Sequence, residues 1–354
     1  MTCRSGAGRP LSGWLALLMS LTLAGCAHLQ TSQPTLPTAV ELTETPFFPQ
    51  REFECGPAAL ATVLRASGLP VTADGLSGEV YLPDRHGSLQ AEMLGATRRH
   101  HRIAYPVQGM ADLVAQLQTG LPVVVLQRLG VWPLQTWHYA VAIGFDSTRR
   151  ELVLRSGTER RLVTGLDRFL RSWKAGGNWA FVALPPGQLP AQADPQRYLS
   201  AVAAAEPSLT VPQRVAAYRQ ATANWPALAT AHFALGNSLH EQRMYATAEA
   251  SWRMAIVLQP GHAGAINNLA ELLARSGRRG EALTVLDRAL AGRLEPESLR
   301  PVLQQTRRDL AGSESSAARR MGHCAMPCPQ QRGTPMTEQR HAVSAHRIAP
   351  HGDT

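Results

Sequence analysis

Three small residues near the C-terminal half of the chain, Gly236, Ala248 and Ala255, recur 34 positions later as Ala270, Ala282 and Ala289. A helical unit repeating at that period cannot bury its apolar face alone. It must stack on a copy of itself, and about three units make a stable array. Small residues at fixed positions let paired helices approach closely. An earlier and weaker unit takes in Tyr198, Tyr218, Ala221 and Pro226. The spacing therefore predicts an all-α repeat domain over residues 187–310, entered through a Pro/Ala-rich linker from Gly187 to Pro195. A generic helical bundle is the alternative.

Ahead of it the periodicity is different. Cys55 to Ser67 reads as a helix that stops at Gly68, with Pro70 beyond. Gly87-Ser88-Leu89-Gln90 opens a second helix, and Met110 to Gln118 a third. Four short strands follow: Leu121 to Leu129, Trp137 to Phe145, Glu151 to Ser156 and Ala180 to Leu184. Helices first and consecutive strands after make an α+β domain with an antiparallel sheet, expected over residues 45–186.

The chemistry concentrates at the start of that domain. Gly56 and Pro57 follow Cys55 and lead into the apolar run Ala59, Leu60, Val63 and Leu64. Cys55 thus lies at a helix N-terminus, where unpaired N–H groups and the helix dipole favour a thiolate. Gln50, five residues upstream, can offer an amide N–H to an oxyanion. An inert, buried helix-start cysteine is the competing reading, and the flanking Gln50 and His138 weigh against it. Of 12 histidines, His138 is the one that starts an apolar strand. Its ring could pair with the thiol and then protonate a leaving group.

These residues resemble a known family. Gln50 to Leu60, Gly87-Ser88-Leu89, Gly120-Leu121-Pro122-Val123-Val124-Val125 and His138-Tyr139-Ala140-Val141 are similar to the peptidase domain of bacteriocin-processing transporters. Those are papain-like cysteine peptidases that cut after a double glycine. The resemblance implies Cys55 as nucleophile, His138 as base and Gln50 as oxyanion donor. The family usually orients the histidine with an Asp-Pro on the next strand. Here that strand ends Leu154-Arg155-Ser156-Gly157, so Ser156 takes the place, with Asp146 at the nearer turn as the alternative. A hydroxyl can accept the ring N–H but supplies no negative charge.

The helical region is similar to tetratricopeptide repeats: His232, Leu235, Gly236, Leu239, Ala248, Trp252, Ala255 and Pro260 fall on their signature positions. Such arrays usually hold a peptide or protein. The N-terminus resembles a lipoprotein signal peptide. Arg4 and Arg9 precede an apolar run from Trp14 to Ala24 that is too short to span a bilayer, and it closes Leu23-Ala24-Gly25-Cys26. The resemblance implies export, cleavage after residue 25, acylation of Cys26 and, with Ala27 following, the periplasmic face of a Gram-negative outer membrane. Residues 26–44, rich in Thr, Pro and Gln, are expected to be a mobile tether, and residues 311–354 a disordered tail.

The formal net charge of +9 comes mostly from scattered Arg, with no nucleic-acid motif. It suggests an anionic envelope surface rather than nucleic acid. The five cysteines form neither a zinc pattern nor a disulfide framework, and no metal or other cofactor is expected. The resulting expectation is a lipid-anchored cysteine peptidase whose repeats dock substrate or partner. The rivals are a peptide-binding pseudopeptidase and an envelope assembly scaffold.

Overall fold

The computed structural model describes residues 39–130 and 133–322, together with Thr2. The expected signal segment, Cys26, and the tail cysteines Cys324 and Cys328 lie outside the described residues. The chain divides into two compact units, Met1–Gln259 and Pro260–Thr354. Among the described residues no helix is long and apolar enough to cross a membrane.

The first unit is built on a seven-stranded sheet. Its strands are β1 (Ala39–Glu41), β2 (Ile103–Pro106), β3 (Val123–Leu129), β4 (Thr136–Asp146), β5 (Glu151–Ser156), β6 (Glu159–Gly165) and β7 (Ala180–Leu184). They are ordered β2-β7-β3-β4-β5-β6, with β1 paired to β4. Every pairing is antiparallel, as the run of consecutive strands implies. The central helix α1 (Cys55–Ala66) is buried from Gly56 to Leu64, matching its nearly unbroken apolar sequence. It packs its Leu60, Val63 and Leu64 with Val124 and Leu126 of β3, Val141 and Ile143 of β4, and Val153 of β5. Helices α2 (Ala73–Val80) and α3 (Gln90–Arg99) add Leu76, Val80, Met93 and Ala96 to the same core.

Helices α4 (Gly109–Gln118) and α5 (Leu166–Ala175) pack on the sheet as well, α5 through the fully buried Phe169 and Trp173. Gln127, alternating with the inward Leu126 on β3, donates to Ser172 of α5 at 2.7 Å.

Two boundaries differ from expectation. The tether was expected to run through residue 44, yet Ala39–Glu41 is a strand. β3 pairs with β4 only as far as Val123↔Ala142, which leaves the backbone of Gly144–Asp146 open on that edge. β1 takes those groups, with Ala39 opposite Asp146 and Glu41 opposite Gly144, because backbone donors and acceptors need partners. The tail was expected to be disordered from residue 311, yet the last helix, α12 (Arg300–Gly322), runs past it. Its Ala- and Arg-rich sequence there favours helix. Elements with no sequence reading were α2, β2, β6 and α5. The Phe169/Trp173 spacing of four was a readable signal for α5, whereas β6 is an exposed edge strand without alternation.

The helical region repeats in phase. α6 (Pro195–Ala205), α8 (Ala229–Glu241) and α10 (Ala263–Arg275) start 34 residues apart. So do α7 (Val211–Asn224), α9 (Tyr245–Leu258) and α11 (Arg279–Leu290). Gly236 on α8 is small for a reason: a Cβ there would lie 2.5 Å from the Trp252 indole. That ring is buried and donates its Nε1–H to Asn237 at 3.0 Å. Ala248, Ala255, Ala270 and Ala282 are fully buried.

The first compact unit runs beyond the expected boundary at residue 186, through α9. Helix α6 docks on the sheet domain. Its Arg197 pairs with Asp112 of α4 at 2.7 Å and stands 5.1 Å over the Tyr105 ring of β2. Gln116 bonds both the N–H and the C=O of Ala191.

Candidate active site

Cys55 is the first residue of α1. The preceding Glu54 gives no side-chain cap. Its carboxylate accepts instead from Ser77 at 3.0 Å, so the first N–H groups of the helix are left for the site. Gly56 admits Ser88 close against the helix start, since a Cβ there would sit 2.2 Å from the Ser88 hydroxyl. That hydroxyl is buried and has no hydrogen-bond partner among the described residues. The expected Gly87-Ser88-Leu89 segment is thus brought to the nucleophile candidate.

Gln50 is brought to the same place by its backbone. Its N–H donates to Gly157 in the β5–β6 turn at 3.1 Å. Its Oε1 is buried and has no hydrogen-bond partner among the described residues. Gln50, Cys55, Tyr139, Arg155 and Ser156 line one narrow cavity of about 10 Å³, room for roughly one water.

His138 is the third residue of β4, and Ser156 ends β5. Val141 pairs with Arg155 in antiparallel register, which sets Ser156 toward the His138 end of β4. The imidazole Nε2 lies 2.8 Å from the Ser156 hydroxyl. With Nε2–H donating, Nδ1 keeps its lone pair for a thiol proton. Asp146 is out of reach. It lies eight residues along the strand, roughly 26 Å away at about 3.3 Å per residue, and it accepts from the Arg149 N–H at 2.9 Å.

The electrostatics depart from the sequence reading. The helix start and a cationic neighbour were expected to lower the Cys55 pKa. Burial pushes the Cys55 thiol up instead, outweighing the N–H groups of Tyr139, Gly56 and Cys55 itself, which favour the thiolate. Burial also pushes His138 down. Both groups are thus held neutral. Among the described residues no hydrogen bond joins the thiol to the ring. The ring follows directly on Tyr139 in reverse chain order, and it is the Tyr139 N–H that acts on the sulfur.

Arg155 was missed by sequence. It is 5% exposed, lines the cavity and precedes Ser156. The signal was present: a charge inside the apolar strand Leu152-Val153-Leu154. Among the described residues no cluster of His, Cys, Asp and Glu could hold a metal ion.

Comparison with known proteins bears on this arrangement. Residues 42–180 match the model of the Peptidase_C39 like family. No curated protein matches the chain. A solved structure described as a C39-like peptidase from Bacillus anthracis is 17% identical, with a TM-score of 0.35, over 41% of this chain and 97% of that one. The peptidase domain of Streptococcus ComA, described as a bi-functional ABC transporter involved in a quorum-sensing pathway, is 20% identical with a TM-score of 0.33. It covers 40% of this chain and 98% of its own. The TPR2B domain of yeast Sti1 is 17% identical with a TM-score of 0.31, over 34% of this chain and 97% of that one. A cysteine opening a buried helix against an antiparallel sheet, within a stretch that matches this family model, makes residues 42–180 a C39-like peptidase domain of papain-like fold, and the chain continues from it into an all-helical region resembling tetratricopeptide folds.

Proposed function

We propose that this protein is an exported, lipid-anchored cysteine peptidase. Cys55 is the nucleophile, His138 the general base and then acid, Ser156 the acceptor that orients the ring, and Gln50 an oxyanion donor. The observation that carries the reading is the convergence of Gln50, Cys55 and Ser156 on one cavity, with His138 bonded to Ser156. In the reaction Nδ1 of His138 takes the thiol proton as sulfur bonds the peptide carbonyl carbon. The oxyanion is received by the Gln50 side chain and the Cys55 N–H. The tetrahedral intermediate then collapses, and His138 gives its proton to the departing amine. The thioester passes its acyl group to water, or to an amine in a transfer reaction.

A neutral resting pair suits this scheme if substrate brings the ring to the thiol, since such contacts often tighten only in the complex. The same neutrality favours a second reading, a peptide-binding module without turnover. Labelling the full chain with a thiol-directed acyl probe separates the two. The peptidase reading expects labelling that is lost in Cys55→Ala and nearly lost in His138→Ala. A wild-type chain that is never acylated sinks it.

Cys26 carries the lipid in this reading and holds the protein at the periplasmic face of an outer membrane. Its support is the apolar run ending Leu-Ala-Gly-Cys. One acyl chain binds a bilayer only marginally and several hold it. Mass spectrometry of the mature N-terminus is the check, and an unmodified Cys26 removes this part. The repeats dock the substrate or a protein partner.

A further inference from the structure

The Arg155 guanidinium is buried, and its hydrogen bonds go to backbone carbonyls rather than to a carboxylate. Nε and Nη2 donate to the Thr45 carbonyl at 3.2 and 2.8 Å. Nη2 also donates to the Thr43 carbonyl at 2.9 Å, and Nη1 to that of Arg160. The nearby Glu41 is engaged by Arg161 at 2.8 Å. Burying a charge is expensive unless its donors are all used, and packing alone would be served better by an apolar residue. The arrangement therefore calls for another reason.

Two of the three carbonyls it grips, those of Thr43 and Thr45, lie on the strap that delivers Gln50, and the third, that of Arg160, ties the same guanidinium to β6. From Thr45 the chain reads Pro46-Phe47-Phe48-Pro49-Gln50. Two prolines fix φ along that span, so an anchor at Thr45 is transmitted to Gln50. The far end of the strap is held by the Gln50 N–H to Gly157. Phe48 packs against the α1 core, and Phe47 and Phe48 both line the cavity. Arg155 and Ser156 are adjacent. One dipeptide thus holds both arms of the site, the strap of the oxyanion donor and the partner of the imidazole.

We propose that Arg155 is a positioning residue, clamping the Thr43–Gln50 strap so that Gln50 faces the carbonyl attacked by Cys55. This rests on the peptidase reading for its chemistry, though not for its geometry.

The test uses the full chain and two reagents. p-Nitrophenyl acetate acylates the thiol through an oxyanion, and iodoacetamide alkylates it without one. Arg155→Met should slow acylation by about ten- to a hundredfold, approaching the loss of an oxyanion donor, and leave alkylation within about twofold. Arg155→Lys should be slowed similarly, because one ammonium cannot span three carbonyls as a planar fork does. Adding Arg155→Met to Gln50→Ala should cost little beyond Gln50→Ala alone. Backbone hydrogen exchange over residues 43–50, read by mass spectrometry, should quicken in both Arg155 variants. If Arg155→Met fails to fold, Arg155→Lys carries the comparison. Equal slowing of both reagents, or unchanged exchange over that strap, overturns the clamp. A wild-type chain that alkylates but never acylates removes the peptidase reading, while the exchange result still decides the clamp.

Discussion

At the scale of single residues, Cys55 and His138 are the pair on which the proposed chemistry turns. Both are displaced toward neutrality by burial, the thiol upward and the imidazole downward. The sign of the stability effect follows. The unfolded thiol ionises near pH 8.5 and the unfolded imidazole protonates near pH 6.5, at ordinary values of about that size. With the thiol raised, its contribution is present below about 8.5 and is lost as pH rises through the folded value. With the imidazole lowered, its contribution is present above about 6.5 and is lost as pH falls through the folded value. Stability should therefore be flat between about pH 6.5 and 8.5 and fall on both sides. In melts recorded against pH, Cys55→Ala should flatten the alkaline limb and His138→Ala should make the acid limb shallower, the remainder belonging to His262, which burial also pushes down. Iodoacetamide alkylation of Cys55 should have its midpoint above about 8.5. A midpoint below it would mean that a charged pair forms without substrate. Ser156→Ala should slow acylation less than Gln50→Ala, for which a loss of about a hundred- to thousandfold is expected. A neutral hydroxyl orients the ring but stabilises imidazolium weakly.

At the scale of elements, helix starts and helix pairs are set by close approaches. Gly56→Ala would drive a methyl into the Ser88 side chain at the helix that carries Cys55. Gly236→Ala would drive one into the buried Trp252 ring. Overpacking of this kind typically costs about 1–3 kcal/mol. Both variants should melt lower, but only Gly56→Ala should also change the alkylation rate of Cys55. Thermal melts and alkylation kinetics of the two variants check this. The helix starts of the three repeat pairs keep the 34-residue phase, and the fully buried Ala221 shows that the weaker first unit belongs to it.

At the scale of the whole molecule, the repeats do not begin as a free module. α6 is tied to α4 and β2 through Arg197, which pairs with the 14%-exposed side chain of Asp112, and Gln116 satisfies the backbone of Ala191. Arg197→Met should lower stability by about 1–3 kcal/mol, less than a fully buried pair would lose. A chain ending at residue 187 should melt below the full chain for the same reason. Equal melting temperatures would mean that the docking of α6 contributes nothing to the sheet domain.

What the amino-acid order determined by itself was local in origin. Apolar periods marked α1, α3, α4 and the strands β3, β4, β5 and β7. The Gly-Pro start put Cys55 at a helix mouth, and small residues in register announced the repeats. Each of these is encoded within a few turns or one repeat, so it can be read without partners. The tertiary structure alone decided the rest. β1 exists because β3 stops short and leaves β4 unpaired, a fact recorded about a hundred residues away. Ser156 meets His138 because the β4–β5 register carries it to that end of β4, whereas Asp146 stands eight residues along β4 itself. The thiol pKa moved against its helix dipole because desolvation depends on everything packed around the sulfur. Arg155 grips a strap about 110 residues upstream, and contacts of that span leave no periodic trace in a sequence.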